Sequence, residues 1–142
     1  MAYSTQSDLE NFWGSDNIAA WSDLTGGKTA DTTRIAAAIA YADKKIDNRF
    51  RRQSRYEVPF TTGTDGTYDD QLIDWSAGLA GDWLYRSRQV RRRVRDGEGD
   101  EGLTSSTVSR INTEIAAAVS NQIMLDASEK GSPMPDSPTL VF

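Results

Sequence analysis

The sequence predicts an all-α fold. It reads as a small helical domain built on two long packed helices, with short N-terminal helices, a long inter-helix loop, and a C-terminal helix followed by an extended tail. Three observations carry this reading. Residues 32 to 50 place Ile35, Ile39, Ala42, Ile46 and Phe50 at steps of four, three, four and four. Residues 69 to 95 put Leu72, Leu79, Trp83, Val90 and Val94 on one helical face, with Trp75 beside them. Both runs follow a period near 3.6 and fail the alternation of a strand. Between them, Pro59 and the TTGTDG stretch rule out a regular central strand or helix and mark a loop.

Each element has local support. In the first short helix, residues 5 to 13, Thr5 or Ser7 is the cap, Asp8 and Glu10 sit in the positive first turn, and Leu9, Phe12 and Trp13 form the buried side. Gly14 stops it. A second short turn or helix, 16 to 24, sets Ile18 and Trp21 three apart and ends at Gly26-Gly27. Helices this short are marginal alone, so their aromatics must dock on longer ones. Asp31 is the expected N-cap of the helix at 32 to 50, whose Ala36, Ala37, Ala38 and Ala40 favour helix and keep its surface thin. That thin surface is expected to meet the small residues Ala77, Gly78, Ala80 and Gly81 of the second long helix, giving a close pair.

Loop 51 to 68 is long for a passive connection, which marks it as a contact loop; Tyr56, Val58 and Phe60 alternate within it. After residue 95 the GEGDEG segment should break the helix. The expected organisation is a helical core over 1–95, an acidic flexible linker over 96–104, and a C-terminal helix and extended arm over 105–142. The final helix begins at Thr104 or Ser105 and runs to about Leu125, with Val108, Ile111, Ile115, Val119 and either Gln122 or Ile123 along a narrow stripe. It either folds back on its own domain or lies on a neighbour, ordering on assembly. The tail ends Leu140-Val141-Phe142, read either as a frayed end or as an apolar hook for a partner.

Composition narrows the function. The 142 residues contain no cysteine and no histidine, which removes thiol chemistry, the usual neutral-pH base and the commonest metal ligand. No run approaches the roughly 20 apolar residues that cross a membrane, and MAYSTQSDLE lacks the features of a secretory signal. Synthesis in the cytoplasm is the expectation. The net charge of −5 hides segregation: of sixteen basic residues, four lie in 49 to 55 and six in 86 to 95. Asp96, Glu98, Asp100 and Glu101 follow directly.

No catalytic constellation stands out, so no enzyme activity, metal or cofactor is expected. Asp69 and Asp70 read as helix-capping carboxylates, and Asp43 with Asp47 as a solvated helix face beside Lys44, Lys45 and Arg49. TGTDGTYDD lacks the ligand spacing of a calcium loop, and Gly26-Gly27-Lys28 lacks the rest of a phosphate-binding loop. Arg86, Arg88, Arg91, Arg92, Arg93 and Arg95 have three readings: carboxylate pairing across a protein interface, a solvated face, or contact with nucleic-acid phosphates. In the third, Arg51, Arg52 and Arg55 extend the field and Tyr56 stacks.

The order of motifs resembles the small tailed-bacteriophage head–tail connector proteins, also called adaptor or head-completion proteins. Tyr3, Ser4, Asp8, Leu9 and Trp13-Gly14 fit the family's N-terminal pattern of tyrosine, small hydroxyl, acid, aliphatic and aromatic-glycine. Ala42, Ile46 and Asp47 fit the end of its central helix, Tyr56 and Pro59 its loop, and Leu84-Tyr85 the close of its second long helix. The similarity spans about residues 3 to 90. It implies a ring, commonly twelve-membered, beneath the portal vertex, extending the DNA channel and offering a docking surface to the next tail or neck-completion protein. The expected partners are the portal protein, further copies of the chain, that completion protein, and double-stranded DNA passing without sequence preference; no membrane is involved. The resemblance makes 51 to 68 and 103 to 142 contact regions. Together with the arginine run, the expected interface residues are Arg51, Arg52, Arg55, Tyr56, Pro59, Phe60, Arg86, Arg88, Arg91, Arg92, Arg93, Arg95, Leu140, Val141 and Phe142. The rival expectation is a basic-helix nucleic-acid-binding module.

Overall fold

The computed structural model describes residues 2–25, 27–53, 56–64, 66–88 and 97–120, with Leu125 and Ala127, and gives backbone alone at 52, 53, 88 and 97–103. Its helices are α1 (Gln6–Trp13), α2 (Ser15–Ser22), α3 (Thr32–Gln53), α4 (Asp70–Arg88) and α5 (Gly97–Val119). The all-α architecture on two long packed helices is therefore the one the sequence predicts.

The starts are set by side chains that satisfy the free N–H groups of a first turn. Thr5 Oγ1 accepts the Asp8 N–H at 3.3 Å while the Thr5 N–H donates to Asp8 Oδ2 at 2.8 Å, a reciprocal cap for α1. Gly14, at φ +100°, ends α1 and begins α2. Its N–H donates to the Glu10 carbonyl and its own carbonyl accepts from Ile18. A side chain would strain that backbone, so glycine makes the corner. The corner brings Trp13 and Trp21 to 5.4 Å between ring centroids. Asp31 Oδ1 accepts from Thr33 and Arg34 and caps α3. Asp69 Oδ1 accepts the Gln71 N–H at 2.8 Å and caps α4. Asp31 and Asp69 therefore act as the caps expected of them.

Helices α3 and α4 run antiparallel: Arg34 near the start of α3 donates to Ser87 Oγ at 2.7 Å, and Ser76 donates to Asp43 at 2.6 Å further along. The predicted α3 stripe is the buried one, with Ile35, Ile39, Ala42, Ile46 and Phe50 all in the core. Helix α4 departs from expectation. Leu72, Trp75, Ala77, Leu79, Ala80, Leu84 and Tyr85 are buried, whereas Trp83 is only half-buried. The face through Leu72, Leu79 and Trp83 does meet the core, with Trp83 at its margin, but it is not the only buried side, because α1, α2 and α5 also pack on α4. Val90 and Val94 lie outside the described residues.

Gly78 and Gly81 of α4, expected to meet α3, are used instead by α1 and α5. A β-carbon on Gly78 would come within 2.3 Å of Ile111 Cδ1, and one on Gly81 within 2.0 Å of Trp13 Nε1. Trp13 Nε1 also donates to the Ala77 carbonyl at 3.1 Å. The indole thus lies against bare backbone of α4.

Helix α5 starts at Gly97, ahead of the expected Thr104 or Ser105, and folds back on its own chain. Ile111, Ile115 and Ala118 join the common core. Two hydrogen bonds fix its register: Thr104 Oγ1 donates to Asp82 at 2.6 Å, and Trp75 Nε1 donates to Glu114 at 3.0 Å.

Candidate assembly surfaces

The N-terminal segment is built into the fold through a polar joint. The Tyr3 N–H donates to Asp43 Oδ2 at 3.0 Å, the Tyr3 hydroxyl donates to Asp47 at 2.6 Å, and the same oxygen accepts the Phe60 N–H at 2.9 Å. Ser76 connects Asp43 to Ser4, whose hydroxyl lies 2.7 Å away. Partial burial holds the Asp43 carboxyl above its ordinary range, although Ser76 and the Tyr3 N–H pull it down. Burial likewise raises Asp47 against the pull of the Tyr3 hydroxyl. Burial also raises the Tyr3 phenol, reinforced by its bond to Asp47. The solvated-face reading of Asp43 and Asp47 is therefore corrected: both carboxylates clamp the N-terminus, and their helical spacing alone does not reveal the tyrosine that arrives from forty residues away. An open depression of about 500 Å³ beside them is lined by Ala36, Ala40, Lys44 and Arg51.

The predicted interface residues separate into three groups. Tyr56 and Phe60 are core residues, 0% and 3% exposed. Phe60 packs on Tyr3 and Phe50, and Tyr56 accepts the Leu125 N–H at 2.7 Å. Their alternation tracks burial, so these side chains anchor the loop from beneath and do not present it to a partner. Pro59, joined to Val58 by a cis bond, sits between them. Arg51 is exposed and donates to Asn48 at 2.6 Å, and Arg52 lies in the last turn of α3. Arg86 is 59% exposed and pairs with Asp82 at 2.7 Å, while Arg88 closes α4. Arg55, Arg91, Arg92, Arg93, Arg95, Leu140, Val141 and Phe142 lie outside the described residues.

The antiparallel pairing sets Arg51 and Arg86 at opposite ends of the helical pair. Arg86 lies beside the start of α3, and the seventeen residues from Arg34 to Arg51 rise about 25 Å at 1.5 Å each. Arg51 does not extend the field around Arg86, as it would in a single basic patch.

Two further surfaces were not singled out by sequence. On α3, Arg34, Tyr41, Lys45 and Asn48 share a flank, with Arg49 at its margin. The Arg34 guanidinium lies 5.3 Å from the Trp83 ring centre, Trp83 lies 6.1 Å from Tyr41, and Lys45 Nζ lies 5.6 Å from the Tyr41 ring. Tyr41 is 42% exposed. The flank opens into a groove of about 290 Å³ between α3 and α5, with Lys45, Asn48, Arg49 and Asn112 around a floor of Leu79 and Ile115. The steps of seven and four from Arg34 to Tyr41 to Lys45 are legible on a helical wheel once the buried face is known. The second surface gathers acids from three helices. Partial burial raises Asp74, Arg110 lowers it, and Asp70, Glu114 and Asp8 each add to the rise through their charge. Sequence spacing could not assemble that patch.

Among the described residues, no group of three or more acidic, histidine or cysteine side chains could hold a metal, and no helix is long and apolar enough to cross a membrane. Residues 3–100 match the model of the protein family described as Bacteriophage Mu, Gp36. No curated protein matches the chain.

Proposed function

The chain belongs to the Bacteriophage Mu, Gp36 family, and from that premise we propose that this phage structural protein acts in the neck, as a ring subunit between portal and tail. The observation that carries the reading is that exposed Arg51 and exposed Arg86 lie toward opposite ends of one antiparallel helical pair. Arg51 and Arg52 end α3, and Arg86 and Arg88 end α4 at the other extremity. A joining part needs to hold two different components a fixed distance apart, and an antiparallel pair with a shared core does that.

In this reading one basic end faces the portal and the other the next tail or neck-completion protein. Arginine suits both contacts because its planar fork pairs bidentately with carboxylates. Copies side by side close the ring, with twelve subunits as the expected number, and its lumen continues the DNA channel. Loop 56 to 64 supports the same picture: Tyr56 and Phe60 lock it to the core, so Glu57, Thr62 and Thr64 are displayed from a fixed base. The separation of Arg51 from Arg86 weighs against the rival nucleic-acid module, since the two ends do not join into one track for a phosphate backbone.

Co-sedimentation of the full chain with purified portal rings tests the proposal. Binding is expected, and Arg51→Ala with Arg52→Ala or Arg86→Ala with Arg88→Ala should weaken attachment at one end only. A chain that ignores portal rings, or one that loses both attachments with either pair, overturns it.

A further inference from the structure

Two of the surfaces described above are complementary in charge and face in different directions. On α4, Ser76, Trp83 and Ser87 share the side that meets α3, and Ser76 and Ser87 bond to Asp43 and Arg34 there. Asp70 and Asp74 fall roughly half a turn away at about 100° per residue, on the side of Gly78 that meets α1 and α5. Helix α5 repeats the division. Asn112 lines the groove beside α3, whereas Glu114, two residues on, belongs to the acidic patch. One copy cannot bring its own stripe and patch together. A second copy can.

We propose that the stripe Arg34, Tyr41, Lys45 and Arg49 of one copy, with the α3–α5 groove beneath it, receives the Asp8, Asp70, Asp74 and Glu114 patch of the next. The partner is a second copy of this chain, and the contact is head-to-tail. Such contacts close into rings when the rotation between copies allows. On the acidic side Asp70 and Asp74 carry the charge, since Glu114 already accepts from Trp75 and pairs with Arg110. Lys45 and Arg49 have no ion pair among the described residues and meet carboxylates, while Tyr41 and half-buried Trp83 supply apolar area. Asp70 and Asp74 are exposed and reach outward from α4. This contact rests on the ring reading of the preceding section but concerns only the side-by-side joint, and its test is independent of the portal.

The experiment is charge exchange, read as mass by sedimentation of the full chain over a concentration series at low salt. Wild-type chain should self-associate, and Lys45→Glu with Arg49→Glu should shift the midpoint to roughly tenfold or more higher concentration. Asp70→Lys with Asp74→Lys should do the same. Mixing the two variants, or combining all four changes in one chain, should restore association, because each reversed surface then meets its complement. Circular dichroism confirms that each variant is folded. Wild-type chain that stays monomeric, or variants that are not restored by mixing, overturns the contact. Retention of DNA that is lost with Lys45→Glu and Arg49→Glu while association persists also overturns it and assigns the stripe to phosphates. A chain that fails here and yet binds portal rings keeps the neck reading and loses only this joint.

Discussion

The Tyr3 hydroxyl donates to Asp47 at 2.6 Å while taking the Phe60 N–H at 2.9 Å. One oxygen therefore joins the N-terminal segment, the last turns of α3 and the inter-helix loop. Tyr3→Phe removes that oxygen, leaving a buried Phe60 N–H and a half-buried carboxylate without their partner. The expected cost is about 1–3 kcal/mol, measured by urea unfolding. Hydrogen exchange at the Phe60 amide should rise more than at Ile46 in mid-helix. Equal exchange at both sites would remove the hydroxyl from its joining role.

The carboxyls of Asp43, Asp47 and Asp74 all sit above their ordinary range, chiefly through burial. Raised folded-state values mean that folding takes up protons. The stabilisation from these groups is full below the ordinary carboxylate pKa of about 4 and is lost as pH rises through their raised values. Their contribution should therefore grow as pH falls from neutral toward the ordinary carboxylate pKa of about 4. Asp43→Asn keeps the shape, can still accept from Tyr3, and cannot ionise. The slope of Tm against pH over that interval should shrink in the variant, and an unchanged slope would contradict the assignment.

Glycines 78 and 81 make an internal comparison. An added methyl at 78 meets the tip of Ile111, which can rotate, while one at 81 meets the rigid indole of Trp13 at three atoms. Both Gly78→Ala and Gly81→Ala gain helix propensity, so the sign rests on packing. Gly81→Ala should cost about 1–3 kcal/mol and should shift Trp13 fluorescence; Gly78→Ala should cost less. The opposite order in thermal unfolding would mean that the indole yields more easily than the isoleucine.

Asp82 holds α5 through Thr104 and also pairs with Arg86. Thr104→Val keeps the volume but removes a donor from a buried site, where Thr104 is 1% exposed. Its expected cost is about 1–3 kcal/mol. Arg86→Ala breaks a largely exposed pair and should stay within about 1 kcal/mol. Equal losses in urea unfolding would reverse the ranking of the two contacts.

The helices and their caps were legible because their signals are local: a capping acid, a glycine at the corner, a period near 3.6. The α3 stripe from Ile35 to Phe50 was readable for the same reason. Helix α4 was harder, since four helices pack on it and it buries more than the one face its spacing shows, while Trp83 sits half-buried at the edge of the core. Tyr56 and Phe60 belong to a loop whose length and family resemblance point to contact, yet their own alternation tracks burial. The acidic patch was invisible in sequence because Asp8, Asp74 and Glu114 come from three helices. The motif residues Tyr3, Ser4, Leu9, Asp47 and Tyr56 prove to be internal joints of the fold. They mark the architecture.

The proposed neck role requires several copies of this body to grip two components at once. Native mass measurement of the full chain, with and without purified portal rings, tests it most directly. The account predicts a portal complex carrying a fixed multiple of the chain's mass, reached without free DNA. A chain of unchanged mass in the presence of portal rings would contradict it.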